Sequence, residues 1–210
     1  MNFNKELWEK AEPKEFGEFE TLELGGHEIV ILDAREHTSE FSGNTSLKIS
    51  VDIAGNDKQA GFFKKQYDDD KRQEKKWPSG AVRYVSLKDE QIEYLKGFIT
   101  ALENSNPNFK FNTNGTWEQL KGLKCAGQFG LEQYEKQDGT FGFATKLLRF
   151  RSLNKLSEIE VPKVRFLDGS SLDYEEYKEV QKMQNSSQNT TSNYENKTDT
   201  NVVIQDNMLD

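Results

Sequence analysis

Positively charged and aromatic side chains crowd together between residues 62 and 84. This segment carries seven Lys or Arg against four acids, a net charge of +3, although the whole chain has a net charge of −8. Cations contact the phosphates of a nucleic acid and flat rings stack on unpaired bases, so this mixture is typical of single-strand binding. The residues that we predict to contact DNA are Lys48, Phe62, Lys64, Lys65, Tyr67, Lys71, Arg72, Lys75, Lys76, Trp77, Arg83 and Tyr84.

The same segment has a plainer interpretation as a solvated charged loop, in which Asp68, Asp69 and Asp70 cancel part of the positive field. Those three acids are better explained as a turn with solvated carboxylates than as a metal site, because the sequence shows no second cluster of oxygen ligands. Phe62 and Phe63 are adjacent, so in a strand one points to the core and the other outward. Trp77 stands between lysines and a proline, which predicts an exposed ring.

No catalytic or cofactor motif competes with this interpretation. The sequence contains no phosphate-binding P-loop, no dinucleotide fingerprint and no nucleophile elbow. His27 and His37 are the only histidines, and neither stands at metal-ligand spacing from the single cysteine, Cys125. We expect both to be ordinary surface or turn histidines, and Cys125 to be a buried core thiol. We therefore expect no enzymatic activity, no cofactor and no metal site.

Alternating apolar residues and turn signals predict a mainly β fold, a five-stranded OB-fold barrel with a helix between strands three and four. The predicted strands cover residues 27–36, 47–53, 59–67, 123–135 and 141–152. The helix is predicted over 87–103, from a capping box at Ser86 and Asp89 followed by an apolar stripe. The fifth strand alternates poorly, which a bulge would reconcile. An OB-fold binds across strands two and three, flanked by loops that here contain Phe41 and the turn at 136–139.

Composition divides the chain into three parts. Residues 1–25 form a Glu-rich N-terminal extension, 26–168 the OB-fold domain, and 169–210 a flexible acidic tail. The tail ends in an apolar and acidic tip, for which we predict a protein partner, although an inert solubilising tail is the alternative. The residues of this predicted docking peptide are Ile204, Asp206, Met208, Leu209 and Asp210. No signal-peptide pattern and no membrane-spanning run is present, which predicts a cytoplasmic protein without a membrane partner.

Several short runs resemble proteins encoded by phages and mobile elements of Gram-positive bacteria. They are GGHEIVILDA at 25–34, TSEFSGN at 38–44, LKGLK at 120–124, EQY at 132–134 and LRF at 148–150. The resemblance covers roughly residues 20–168 and implies an OB-like fold, single-stranded-DNA binding in phage replication or recombination, and the host cytoplasm. The tail is similar in arrangement to that of bacterial single-stranded-DNA-binding proteins, whose tips recruit replication and repair partners. It lacks their run of Asp and their final Pro-Phe.

Two functions follow as expectations. The first is non-catalytic binding of single-stranded DNA during replication or recombination of a phage or mobile element. The second is an OB-like interaction module of a replication complex, which binds another protein and touches DNA weakly or not at all. A small nuclease is a distant third.

Overall fold

A seven-stranded sheet is the framework of the protein, which we describe from a computed structural model of Glu9 and residues 20–183. The strands are β1 (Gly25–Thr38), β2 (Thr45–Ile53), β3 (Val82–Ser86), β4 (Lys124–Glu135), β5 (Phe141–Arg151), β6 (Val164–Arg165) and β7 (Ser171–Leu172). The helices are α1 (Phe62–Asp69), α2 (Ile92–Ser105) and α3 (residues 174–183). Within these described residues, no helix has the length and apolar character needed to cross a membrane.

The five longer strands follow the spatial order β3-β2-β1-β4-β5, and each neighbouring pair is antiparallel. The short strand β6 runs parallel to β4 through the pair Glu132 and Arg165, and β7 pairs with β6. No ladder joins β3 to β5 within the described residues, so the hydrogen-bonded sheet is open. The predicted mainly β class is confirmed.

The core lies between the inner face of the sheet and α2. Leu47, Ile49 and Val51 alternate inward along β2 and are fully buried, as their spacing predicts for a strand with one apolar face. Phe98 and Leu102 of α2 belong to the same cluster. Cys125 is buried too, and burial raises the pKa of its thiol to about 12. It is therefore the inert core thiol that the sequence predicts.

Four of the five predicted strands are confirmed, with ends that differ by at most two residues. The poor alternation in β5 has the expected cause, because Arg149 pairs with Gln128 whereas Leu147 pairs with Phe129, which leaves Leu148 as an extra residue. A second irregularity occurs in β1, where the register shifts at Leu32 between the partners of Ile31 and Asp33. Both bulges increase the local twist and curvature of the sheet.

The predicted third strand at 59–67 is wrong, because helix α1 occupies most of this segment. Gly61, at a φ of 72°, has the left-handed conformation that turns the chain into the helix. The carboxylate of Asp52, on β2, accepts a hydrogen bond from the Phe63 N–H at 3.0 Å, which satisfies one of the free donors of the first helical turn. Lys64 and Asp68 then pair one turn apart at 2.7 Å.

The true third strand is β3, five residues that follow the charged loop and pair with β2. The predicted helix also starts too early. Ser86 does not cap it, since its hydroxyl accepts only from the Lys88 N–H at 3.3 Å, and a 3-10 turn at Asp89–Gln91 precedes the first residue of α2, Ile92.

Packed elements continue beyond the predicted domain boundary at residue 168. The strand β7 pairs with β6, and the ring of Tyr177 on α3 packs against Phe143 of β5 with 4.9 Å between centroids. The first part of the predicted tail is therefore folded onto the sheet. The predicted docking residues Ile204, Asp206, Met208, Leu209 and Asp210 lie outside the described residues.

His27 is not a surface or turn histidine, which corrects the prediction, whereas His37 is exposed as expected. Alternate residues of β1 point inward, and this parity buries His27 to 2% exposure. Its Nδ1 faces the Asp57 carboxylate at 3.1 Å and its Nε2 faces the Glu23 carbonyl oxygen at 3.0 Å.

We expect Asp57→Asn to destabilise the protein in a pH-dependent way. Burial raises the pKa of Asp57, but hydrogen bonds from the Gln59 N–H, His27 and the Glu28 N–H outweigh it, so the net pKa lies below its ordinary value. The ionised carboxylate therefore stabilises the fold above about pH 4, and this contribution is lost as the pH falls through the folded-state pKa.

The substitution should lower the free energy of unfolding at pH 7 by about 1.5–3 kcal/mol, the usual contribution of hydrogen bonds to a charged group. Urea unfolding at pH 7 and pH 3 measures the effect, which should be clearly smaller at pH 3. Asp33→Asn, which removes an exposed ion-pair partner of Arg35, is the control. A loss of equal size at both pH values would show that the charge of Asp57 does not contribute.

Candidate nucleic-acid interface

The two phenylalanines of the predicted DNA-binding segment lie in the core. Phe62 is 7% exposed and Phe63 is 2% exposed, and their rings pack edge to face with centroids 5.2 Å apart. Consecutive residues of a helix lie about 100° apart, so both can face the sheet, whereas strand alternation would have separated them. Phe62 is therefore not available for stacking on a base, which corrects that part of the prediction.

Tyr67 and Trp77 are half-buried and pack against each other, with centroids 5.5 Å apart. The Trp77 Nε1–H donates to the Val51 carbonyl oxygen at 3.0 Å, at the part of β2 that β3 does not reach. The expectation that Trp77 is an exposed ring is wrong, because its N–H satisfies an acceptor on the edge of the sheet. We assign this ring a structural role.

The lysines and arginine around α1 are largely matched by nearby acceptors. Lys64 pairs with Asp68, Lys65 with Glu20, and Arg72 with Asp70, while the Lys75 ammonium donates to the Asp68 carbonyl oxygen at 3.0 Å. The hydrogen bonds from Arg72 lower the pKa of Asp70 to about 2. Lys71 and Lys76 are exposed in the same loop. The positive charge of this segment is thus partly neutralised by neighbouring acids.

We expect Trp77→Ala to lower the free energy of unfolding by about 2–3 kcal/mol, somewhat less than truncation of a fully buried aromatic residue. Trp77→Phe should cost about 1 kcal/mol, since it keeps most of the packing but leaves the Val51 carbonyl without its donor. Denaturant unfolding measures both effects. The ring would instead be a DNA contact if Trp77→Ala left stability unchanged and weakened binding to oligo(dT).

A different surface combines exposed rings with cations, on the outer face of β1, β2 and β3. Arg35, Lys48 and Tyr84 are consecutive cross-strand partners, and directly paired residues lie on the same side of a sheet. Tyr84 is 47% exposed, and His37 packs against it with 5.4 Å between ring centroids. We call these four residues the Tyr84 face. Lys48 and Tyr84 are among the residues predicted from the sequence.

The hairpin loop between β1 and β2 extends this face. Two backbone hydrogen bonds close this loop. The Gly43 N–H donates to the Ser39 carbonyl oxygen at 2.8 Å, and the Ser39 N–H donates to the Asn44 carbonyl oxygen at 2.9 Å. Phe41 is fully exposed in this loop. Phe41 therefore presents its ring to solvent at the end of the hairpin of β1 and β2.

A groove of about 1210 Å3 adjoins the Tyr84 face, between β3, α2 and the end of β5. The 3-10 turn at Ser79–Ala81, which leads directly into β3, lies close to β5, since the Lys146 ammonium donates to the Ser79 hydroxyl at 2.8 Å and a Cβ at Gly80 would collide with the Thr145 carbonyl oxygen. We call this cavity the basic groove, because its lining includes Arg83, Lys96, Arg149, Arg151, Lys155 and Arg165.

Arg83 shows how strongly positive the groove is. Burial lowers the pKa of its guanidinium, and the charges of Arg165 and Arg149 lower it further, while only Glu132 acts in the opposite direction. Glu132 itself is paired with Arg165 at 3.1 Å. A half-buried cation with two cationic neighbours makes an anion favourable at this position.

Of the cations that line the groove, Arg83 alone is among the residues predicted from the sequence. Arg149 and Arg151 follow an apolar–cationic alternation, Leu148-Arg149-Phe150-Arg151, which indicates a strand with one charged face. That local signal was available. Lys96, Lys155 and Arg165 stand far apart in the sequence and come together only through the fold.

Comparisons with known proteins do not assign the chain. No family model matches it, and no curated protein is significantly similar to it. The resemblance to proteins of phages and mobile elements therefore stays a prediction.

Proposed function

We propose that this protein is an OB-like, non-catalytic single-stranded-DNA-binding protein of phage or mobile-element replication or recombination. The observation that carries the proposal is the Tyr84 face, where an exposed tyrosine and histidine pack against each other beside Arg35 and Lys48. Single-strand binding needs this combination of flat rings for unpaired bases and cations for phosphates.

The strand arrangement supports the OB-like assignment. The order β3-β2-β1-β4-β5, with α2 connecting β3 to β4, is what unrolling a five-stranded OB barrel between its third and fifth strands would give. The turn at Ser79–Ala81 that leads into the third strand contacts Lys146 of the fifth strand. OB barrels are partly open, so an open sheet is compatible with the class. The Tyr84 face includes strands two and three, where such folds bind nucleic acid.

A protein-interaction module is the second candidate, and the exposed Phe41 favours it. A fully exposed aromatic ring on a hydrogen-bonded loop also suits a protein interface, where aromatic residues are enriched. The two functions differ in ligand and in salt response, because phosphate contacts release counterions from DNA.

We expect fluorescence anisotropy to detect binding of labelled oligo(dT) at low salt. Three to five phosphate contacts would give a slope of log K against log salt of roughly −2 to −3.5, at about −0.7 for each contact on a single strand. Tyr84→Ala should weaken binding by about 1–3 kcal/mol if a base stacks on the ring. Tyr84→Phe should retain most of the affinity.

Tyr134→Ala is the matched control, since Tyr134 is a similarly exposed tyrosine on β4, outside the Tyr84 face and the basic groove. Equal affinity of wild type and Tyr84→Ala would remove the face from the interface. Absence of any binding to oligo(dT) at low salt would leave the interaction module as the function.

A further inference from the structure

We propose that the basic groove holds the phosphodiester backbone of the same single strand, so that the binding site has a base-stacking part and a backbone part. This inference rests on the proposed function and goes beyond it, because it adds a second surface on β5 and α2. The surface that OB-like folds ordinarily use consists of strands two and three with their flanking loops.

Unbalanced charge is the first argument. Among the described residues, no carboxylate forms an ion pair with Arg83, Lys96, Arg149, Arg151 or Lys155. Glu93 is the only acid among the described residues that line the groove. The cations around α1, by contrast, have local acids beside them. Bringing like charges together is costly unless an anion compensates them, so the groove fits a polyanion.

Shape is the second argument. At about 1210 Å3 the groove exceeds the 300–1,000 Å3 that is typical of small-molecule pockets. Its cations come from β3, α2, β5 and the segments after β5, so they are spread along the cavity rather than gathered at one point. A chain with regularly spaced negative charges matches this distribution better than a single phosphate group does.

Continuity with the Tyr84 face is the third argument. Tyr84 belongs to the face and also lines the groove, and Arg83, its neighbour in β3, points to the opposite side of the strand, into the gap before β5. Tyr94, which is 67% exposed, contributes a second ring from α2. When a base of the single-stranded DNA stacks on Tyr84, the phosphates of the adjacent nucleotides therefore lie near the cations of the groove.

The test compares oligonucleotides of two lengths, (dT)4 and (dT)12, on full-length variants. Arg149→Gln with Arg151→Gln removes two exposed cations of β5, and Lys96→Gln with Lys155→Gln removes two from the surrounding segments. The matched control is Lys110→Gln with Lys121→Gln, two exposed cations that do not line the groove. Thermal unfolding verifies that each variant is folded.

Each groove variant should bind (dT)12 on the order of 10-fold more weakly at low salt, with a salt slope shallower by about 1.4 because two phosphate contacts are lost. Binding of (dT)4 should change less, since a short strand can remain on the Tyr84 face. The control variant should behave as wild type.

Unchanged affinity and slope for (dT)12 in both groove variants, while Tyr84→Ala still weakens binding, would overturn the inference and leave the proposed function in place. Competition with a poly-Glu peptide tests whether the groove instead binds an acidic protein segment. Groove variants that lose poly-Glu binding but keep (dT)12 binding would assign the groove to an acidic protein segment and also overturn it. No binding of (dT)12 by wild type would overturn the inference and the proposed function together.

Discussion

The sharing of β1 between two partners is the constraint on which the rest of the structure depends. Its first residues pair with β4 on one side, and from Ile29 onward the strand pairs with β2 on the other. The two ladders share Ile29 and Val30, and Ile31 adds backbone hydrogen bonds to Gly122 and Leu123 just before β4, so β2 and β4 diverge from a short common segment. The bulge at Leu32 adds curvature just after that segment. The sheet therefore coils, and its outer strands β3 and β5 come to face each other.

That coiling explains why charge collects where it does. Because the turn at Ser79–Ala81 that leads into β3 contacts Lys146 of β5, cations from both strands and from α2 line the same opening. Tyr84 points to the opposite side of β3 from Arg83, and it belongs to the Tyr84 face and also lines the groove. One short strand thus joins a surface with rings to a groove with cations. Whole-chain acidity does not argue against this, since a ligand responds to the local field.

The sequence predicts the regular strands well because alternation is a local signal, as Leu47, Ile49, Val51 and Ile53 show. Helix α1 is not predicted from the sequence for two reasons. The pair Phe62-Phe63 suits a strand as well as a helix, and the side chain that caps the helix is Asp52, which lies on β2. The candidate site is predicted in part for a related reason. Counting charges along the sequence identifies the lysines near α1, but nearby acids neutralise them in the structure. The cations of the groove come from separate segments of the sequence and come together only in the folded protein.

The central claim is that a single strand binds on the Tyr84 face and the basic groove rather than on the segment with the highest density of charge in the sequence. Mapping backbone amide NMR shifts during a titration with (dT)12 tests it most directly. The account predicts the largest shifts at Arg35, Lys48, Tyr84, Arg149 and Arg151, with small changes across residues 64–76. Shifts concentrated in residues 64–76, or no shifts at all, would contradict it.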